Sequence, residues 1–172
     1  LRWWCLTRFG LRRRRRWCRC RANRQRRRSL ALLDGRLDRS DERADGQFVV
    51  VADVAAPRGL DLEPVVRQAQ RFRDAGAVAV SVPDYPKSGA RASALSLAVL
   101  LEQRGGVETL LHYCCRDRNL IGMQSDLVGA PAMGIRNVLL TTGNPAPQAT
   151  YADATSGFDV DAIGLINMVF RL

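Results

Sequence analysis

The chain has 172 residues, 47% of them apolar, which suffices for one domain with a packed core, and its formal net charge is +10. That charge is not a property of the fold: residues 1–28 hold 13 arginines and no acid, while the other 144 residues carry 14 basic and 17 acidic groups. No apolar run reaches the ~18–20 residues that span a bilayer, and no apolar stretch follows the basic start as an export signal would require, so a cytoplasmic protein that does not enter a membrane is expected.

Residues 1–28 form the first segment. Arg12–Arg16 and Arg26–Arg28 are able to neutralise phosphates, and Trp3, Trp4 and Trp17 to stack on bases, which makes a nucleic-acid-binding tail one reading. Like-charge repulsion and a shortage of apolar groups favour a disordered tail without a specific nucleic-acid partner. The mixture of Arg, Trp and Cys also matches what GC-rich DNA encodes upstream of a start codon or out of frame, so much of this segment is expected not to be evolved protein. Residues 29–46 (SLALLDGRLDRSDERADG) turn charged and polar and read as a linker. Cys5, Cys18, Cys20, Cys114 and Cys115 have the spacing of neither a disulfide framework nor a zinc site. A reduced compartment follows as the default.

From residue 47 the pattern becomes regular. Gln47–Asp53 (QFVVVAD) is a continuous apolar run, as in a strand buried on both faces. Asp61 is placed to cap a helix whose Leu62, Val65, Val66, Ala69 and Phe72 share one side, and Asp74-Ala75-Gly76 ends it. A second strand follows at Ala77–Val82. The spacing predicts a second helix from Ser88 through Leu101, stopped by Gly105-Gly106. Val107–Cys115 is the third strand, Leu120–Ala130 the third helix with Asn119 as its cap, and Arg136–Thr141 the fourth strand. Gly143–Ala154 is a loop, and Phe158–Phe170 begins a fourth helix.

Strands and helices that alternate with short crossovers predict a parallel sheet with right-handed connections. An open doubly wound sheet and a (β/α)8 barrel both satisfy this. No GxGxxG follows the first strand, and the glycines of Gly129–Gly134 lack the Lys-Ser/Thr of a phosphate loop. Polar residues gather just beyond the strand C-termini: Asp53, Asp84, His112 with Arg116 and Asp117, and Thr142 with Asn144. A barrel builds its site there, although open sheets also bind ligands at that end. The four strands, centred on 50–52, 78–82, 108–113 and 137–141, are expected side by side in chain order. Cys114 and Cys115 fall on opposite faces of their strand, one in the core and one under a helix, and neither has the partners of a nucleophile.

The stretch LHYCCRDRNLIGMQSDLVGAPAMGIRN at 111–137, running into VLLTTGNPAP, resembles the methylenetetrahydrofolate reductases, and most of all the branch fused to a homocysteine methyltransferase domain. VVVADVAAPRGLDLEP at 49–64, SVPDYP at 81–86 and YADATSGFDVDAIGL at 151–165 extend the resemblance over 47–172. It implies about four βα units of a (β/α)8 barrel, a protein that is a homo-oligomer at full length, and an enzyme that uses FAD and NAD(P)H to reduce methylenetetrahydrofolate in one-carbon and methionine metabolism.

By the same resemblance Asp53 stands where the family has the glutamate that protonates the folate, one methylene shorter. His112, Pro83 and Thr142-Gly143-Asn144 fall where the family contacts the flavin. Asn144 replaces the aspartate of a Gly-Asp pair, which keeps size and hydrogen bonding but loses the charge. The resemblance therefore assigns catalysis to Asp53 and Asn144, and cofactor contact to Pro83, His112, Thr142, Gly143 and Asn144. A truncated, non-catalytic fragment with a basic tail is the competing expectation.

Overall fold

The computed structural model describes residues 49–84, 91–144 and 156–172, and the backbone of 2–5. The chain divides into two units, Leu1–Thr7 with Val50–Leu172, and Arg8–Val49. The first contains β1 (Arg2–Cys5), β2 (Val51–Asp53), α1 (Glu63–Asp74), β3 (Ala79–Val82), α2 (Ala94–Leu100), β4 (Thr109–Cys114), α3 (Leu120–Gly129), β5 (Asn137–Thr141) and α4 (Ala162–Val169). All five strands lie parallel in one sheet of order β1-β5-β4-β3-β2. The four strands read from the sequence are thus neighbours in chain order, as a barrel wall requires. A doubly wound sheet would reverse direction at a switch point.

Two faces of this sheet differ. Val80, Val82, Leu111, Tyr113, Val138 and Leu140 join Val66, Ala69, Leu97, Leu101, Met123, Leu127 and Leu165 in a single apolar cluster. Every described helix buries its apolar side in that cluster, so all of them cover the same face. The alternate residues Ser81, Leu110, His112, Cys114, Leu139 and Thr141 point the other way, as the period of two in a strand demands. Helices on one face only, with strands in chain order, make the wall of a partial (β/α)8 barrel.

Local chemistry sets the element ends. The α1 N-terminus starts at Leu62 rather than at Asp61, whose carboxylate accepts instead from the Glu63 N–H at 3.0 Å. Ser93 Oγ accepts from the Ser96 N–H at 3.0 Å and starts α2 at Ala94. Arg91–Ser93 are not helical, and the expected start at Ser88 lies outside the described residues. After α2 a wider turn, Leu101–Gly105, carries Glu102, which accepts from Thr109 N–H at 2.8 Å and Thr109 Oγ at 2.9 Å and so anchors the start of β4. Burial raises the Glu102 pKa, and the two Thr109 bonds oppose that rise. Asn119 caps α3 as expected, its Oδ1 accepting from Gly122 N–H at 2.7 Å. Asp159 adds a second, distant cap by accepting from Leu120 N–H at 2.8 Å.

Within the tail that is expected to be disordered, Arg2–Cys5 form a strand. These residues pair with β5, Arg2 opposite Asn137 and Cys5 opposite Leu140. Tryptophan favours strands, and the edge of β5 offers a row of backbone donors and acceptors. The rest of residues 1–28 and the linker at 29–46 lie outside the described residues. Among the described residues no helix is long and apolar enough to cross a membrane.

Candidate active site

Strand register brings the polar residues together. Asp53 ends β2 directly opposite Ser81 of β3, and the main chain is locked there by Val54 N–H donating to Ser81 O at 2.9 Å. The Ser81 hydroxyl lies 2.8 Å from His112 Nε2, one strand further on. Burial lowers the His112 pKa below its usual 6.5, against the pull of the Asp53 and Asp84 carboxylates, which raise it. Ser81, Asp53 and Asp84 therefore all act on His112 toward the C-terminal ends of three adjacent strands. Asp53 itself is exposed to solvent.

Asp84, just past β3, is the hub of a second group. Its Oδ2 accepts from Arg118 Nη1 at 2.9 Å and from the Cys114 thiol at 3.2 Å. Arg118 also stands over the Tyr113 ring at 4.7 Å, and its Nε lies 3.6 Å from Asp126 of α3. Tyr113 OH donates to the same Asp126 oxygen at 2.8 Å. Burial first, and then that bond, hold the phenol strongly protonated. A charge-assisted bond such as Asp84–Arg118 contributes about 1.5–3 kcal/mol. The group pins the exit of β3 to β4 and α3.

The exit of β5 is held by β4. Arg116, almost fully buried, donates to Asp117 at 2.6 Å and to the Asn144 carbonyl at 3.3 Å. Gly143 has φ +82, and a Cβ there would meet Cys114 Cβ at 3.2 Å and Arg116 Cβ at 3.3 Å. Only glycine lets this loop pass so close to β4. Thr142 Oγ accepts from Ala162 N–H at 3.0 Å, at the start of α4. Thr142 and Asn144 are otherwise exposed, and Pro83 is half-buried beside Asp84.

Of the site residues read from the sequence, Asp53, Pro83, Thr142, Gly143 and Asn144 lie at or just past strand C-termini, and His112 lies within β4, two residues before its end. Asp53 and His112 are brought into electrostatic contact. Thr142 carries a structural bond, and Asn144 is tied in through its backbone. Ser81, Tyr113 and Asp126 were not read as site residues: a single serine in an apolar strand carries no spacing signal, and Asp126 reaches the group only through the packing of α3. Cys115 joins the core, but Cys114 is not under a helix; it faces Asp84. Burial pushes the Cys114 thiol up to about 12 and the Cys115 thiol up to about 11. Both remain protonated near neutrality.

A parallel barrel wall with titratable groups at the C-terminal ends of its strands has the layout of a barrel enzyme. The family model for methylenetetrahydrofolate reductase matches residues 37–170, and the chain belongs to that family. Among solved structures it is similar to the EDTA monooxygenase EmoA from Chelativorans sp. BNC1, with 19% identity and a TM-score of 0.51. That match covers 72% of this chain and 38% of the monooxygenase chain, and it is a likeness of fold. No curated protein matches the sequence.

Proposed function

We propose that this chain supplies the flavin- and folate-facing wall of an oxidoreductase that reduces methylenetetrahydrofolate to methyltetrahydrofolate with NAD(P)H. The observation that carries the reading is the convergence of Asp53, Ser81 and His112 at the ends of adjacent strands, on the sheet face opposite the helices. The residues fit the ring half of FAD. His112 offers a hydrogen-bonding edge, Leu110 and Leu139 alternate with it on the same face, and Gly143 keeps the β5 loop tight against β4. When bound, FAD would supply hydride transfer from the nicotinamide to the one-carbon unit.

The protein's own part is proton delivery and positioning. Opening the folate ring leaves a nitrogen that must take a proton, and Asp53 stands at the strand end from which the family's glutamate delivers it. Its side chain is one methylene shorter than the family's glutamate, and a misplacement near 1 Å costs about a hundredfold in rate. Arg118 keeps Asp84 in place beside His112, and Arg116 holds the Asn144 loop. Asn144 contributes hydrogen bonds without charge, so folate binding is weakened. The same two replacements favour the second reading, a non-catalytic member of the family.

Flavin difference absorbance tests the proposal. Adding excess chain to FAD is expected to perturb the ring bands, with His112→Ala removing the change. Identical spectra with and without the chain would overturn the flavin reading.

A further inference from the structure

Ser81 is buried, and its hydroxyl has one hydrogen-bond partner among the described residues, His112 Nε2 at 2.8 Å. Two arrangements are compatible with that distance. If His112 carried its proton on Nε2 and donated to Ser81, the serine O–H would have no acceptor, and a buried unsatisfied donor costs about 1–3 kcal/mol. If Ser81 donates to an unprotonated Nε2, the buried hydroxyl is satisfied, and the only partly buried imidazole keeps its N–H for solvent or a ligand. The second arrangement puts the imidazole proton on Nδ1.

The geometry points to Ser81 as a positioning residue: its hydroxyl donates to His112 Nε2, fixes the ring as the Nδ1–H tautomer, and makes Nδ1–H the donor offered to a bound ring through a carbonyl oxygen or an unprotonated ring nitrogen. The use of that donor rests on the flavin reading above, whereas the tautomer does not. Three features support it. Ser81 cannot drift, because its carbonyl is held by Val54 N–H at 2.9 Å. The ring is neutral near neutrality, since burial lowers its pKa, and the charged groups that face it, Asp53 from β2 and Asp84 past β3, do not overcome that direction. Nδ1 has no hydrogen-bond partner among the described residues, so it is left for a ligand.

His112 is the only histidine in the chain, so its ring nitrogens give an unambiguous signal. The test is a long-range proton–nitrogen spectrum of the nitrogen-15-labelled 172-residue chain, without flavin, at about pH 8, well above the histidine range. The wild type is expected to show a single Nδ1–H tautomer, Ser81→Ala a shift toward Nε2–H, and Ser81→Thr the wild-type pattern again. An Nε2–H tautomer in the wild type would overturn the inference, whatever the variants do. So would an unchanged Nδ1–H signal in Ser81→Ala. Because no flavin is present, failure here is distinct from failure of the flavin reading.

Discussion

At His112 two opposed influences meet, and their balance is measurable. Burial favours the neutral ring, while Asp53 and Asp84 favour the charged one. Asp53→Asn removes one of the opposing carboxylates, so the His112 pKa should fall further below 6.5, read from the single histidine signal in a pH titration. A rise would contradict the electrostatic contact. The linkage has a definite sign. With a folded pKa below the unfolded value of 6.5, the unfolded chain binds more protons in that window, so stability declines as pH falls below 6.5 toward the folded value. His112→Gln should remove that part of the decline in denaturant titrations. Cys114 and Cys115 are expected to resist alkylation in the folded chain and to react on unfolding, followed residue by residue by mass spectrometry. Their burial and raised pKa values both slow the reaction. At this scale the sequence disclosed Asp53 and His112 through their place at strand ends. It did not disclose Ser81, whose importance comes from a neighbour 31 positions along the chain.

Helices and strands were legible where local chemistry decides them. Continuous apolar runs marked β2 to β5, and Asn119 marked α3. Asn119→Ala should cost about 1 kcal/mol in chemical denaturation, the usual loss for a cap. No change would mean that the Asp159 bond to Leu120 suffices alone. Gly143→Ala joins an unfavourable positive φ to close approaches at Cys114 and Arg116, so a loss of about 1–3 kcal/mol is expected. The less legible elements were those set by tertiary pairing. The α1 start shifted because Asp61 bonds Glu63 from outside the helix. Arg2–Cys5 became a strand because β5 offers it an edge, which no property of an arginine-rich segment announces.

Taken whole, the first unit is a sheet with helices on one face and polar, titratable side chains on the other. Its β2 edge has no strand partner among the described residues and carries the exposed Val50 and Val51. Such an edge promotes association, so light scattering of the purified chain should show dimers or larger species. Removing Leu1–Thr7 should lower the melting temperature by several degrees and increase association, since it bares the β5 edge as well. An unchanged melting curve would show that the strand adds nothing. On the proposed flavin reading, Asp53, His112 and Gly143 would meet the isoalloxazine part of FAD rather than its adenosine, with Ser81 orienting His112. Saturation-transfer NMR of FAD with the 172-residue chain tests this most directly. Saturation is expected on the isoalloxazine methyl and ring protons, little on adenine, with loss of the effect in His112→Ala. Transfer confined to adenine, or equal transfer with His112→Ala, would contradict it.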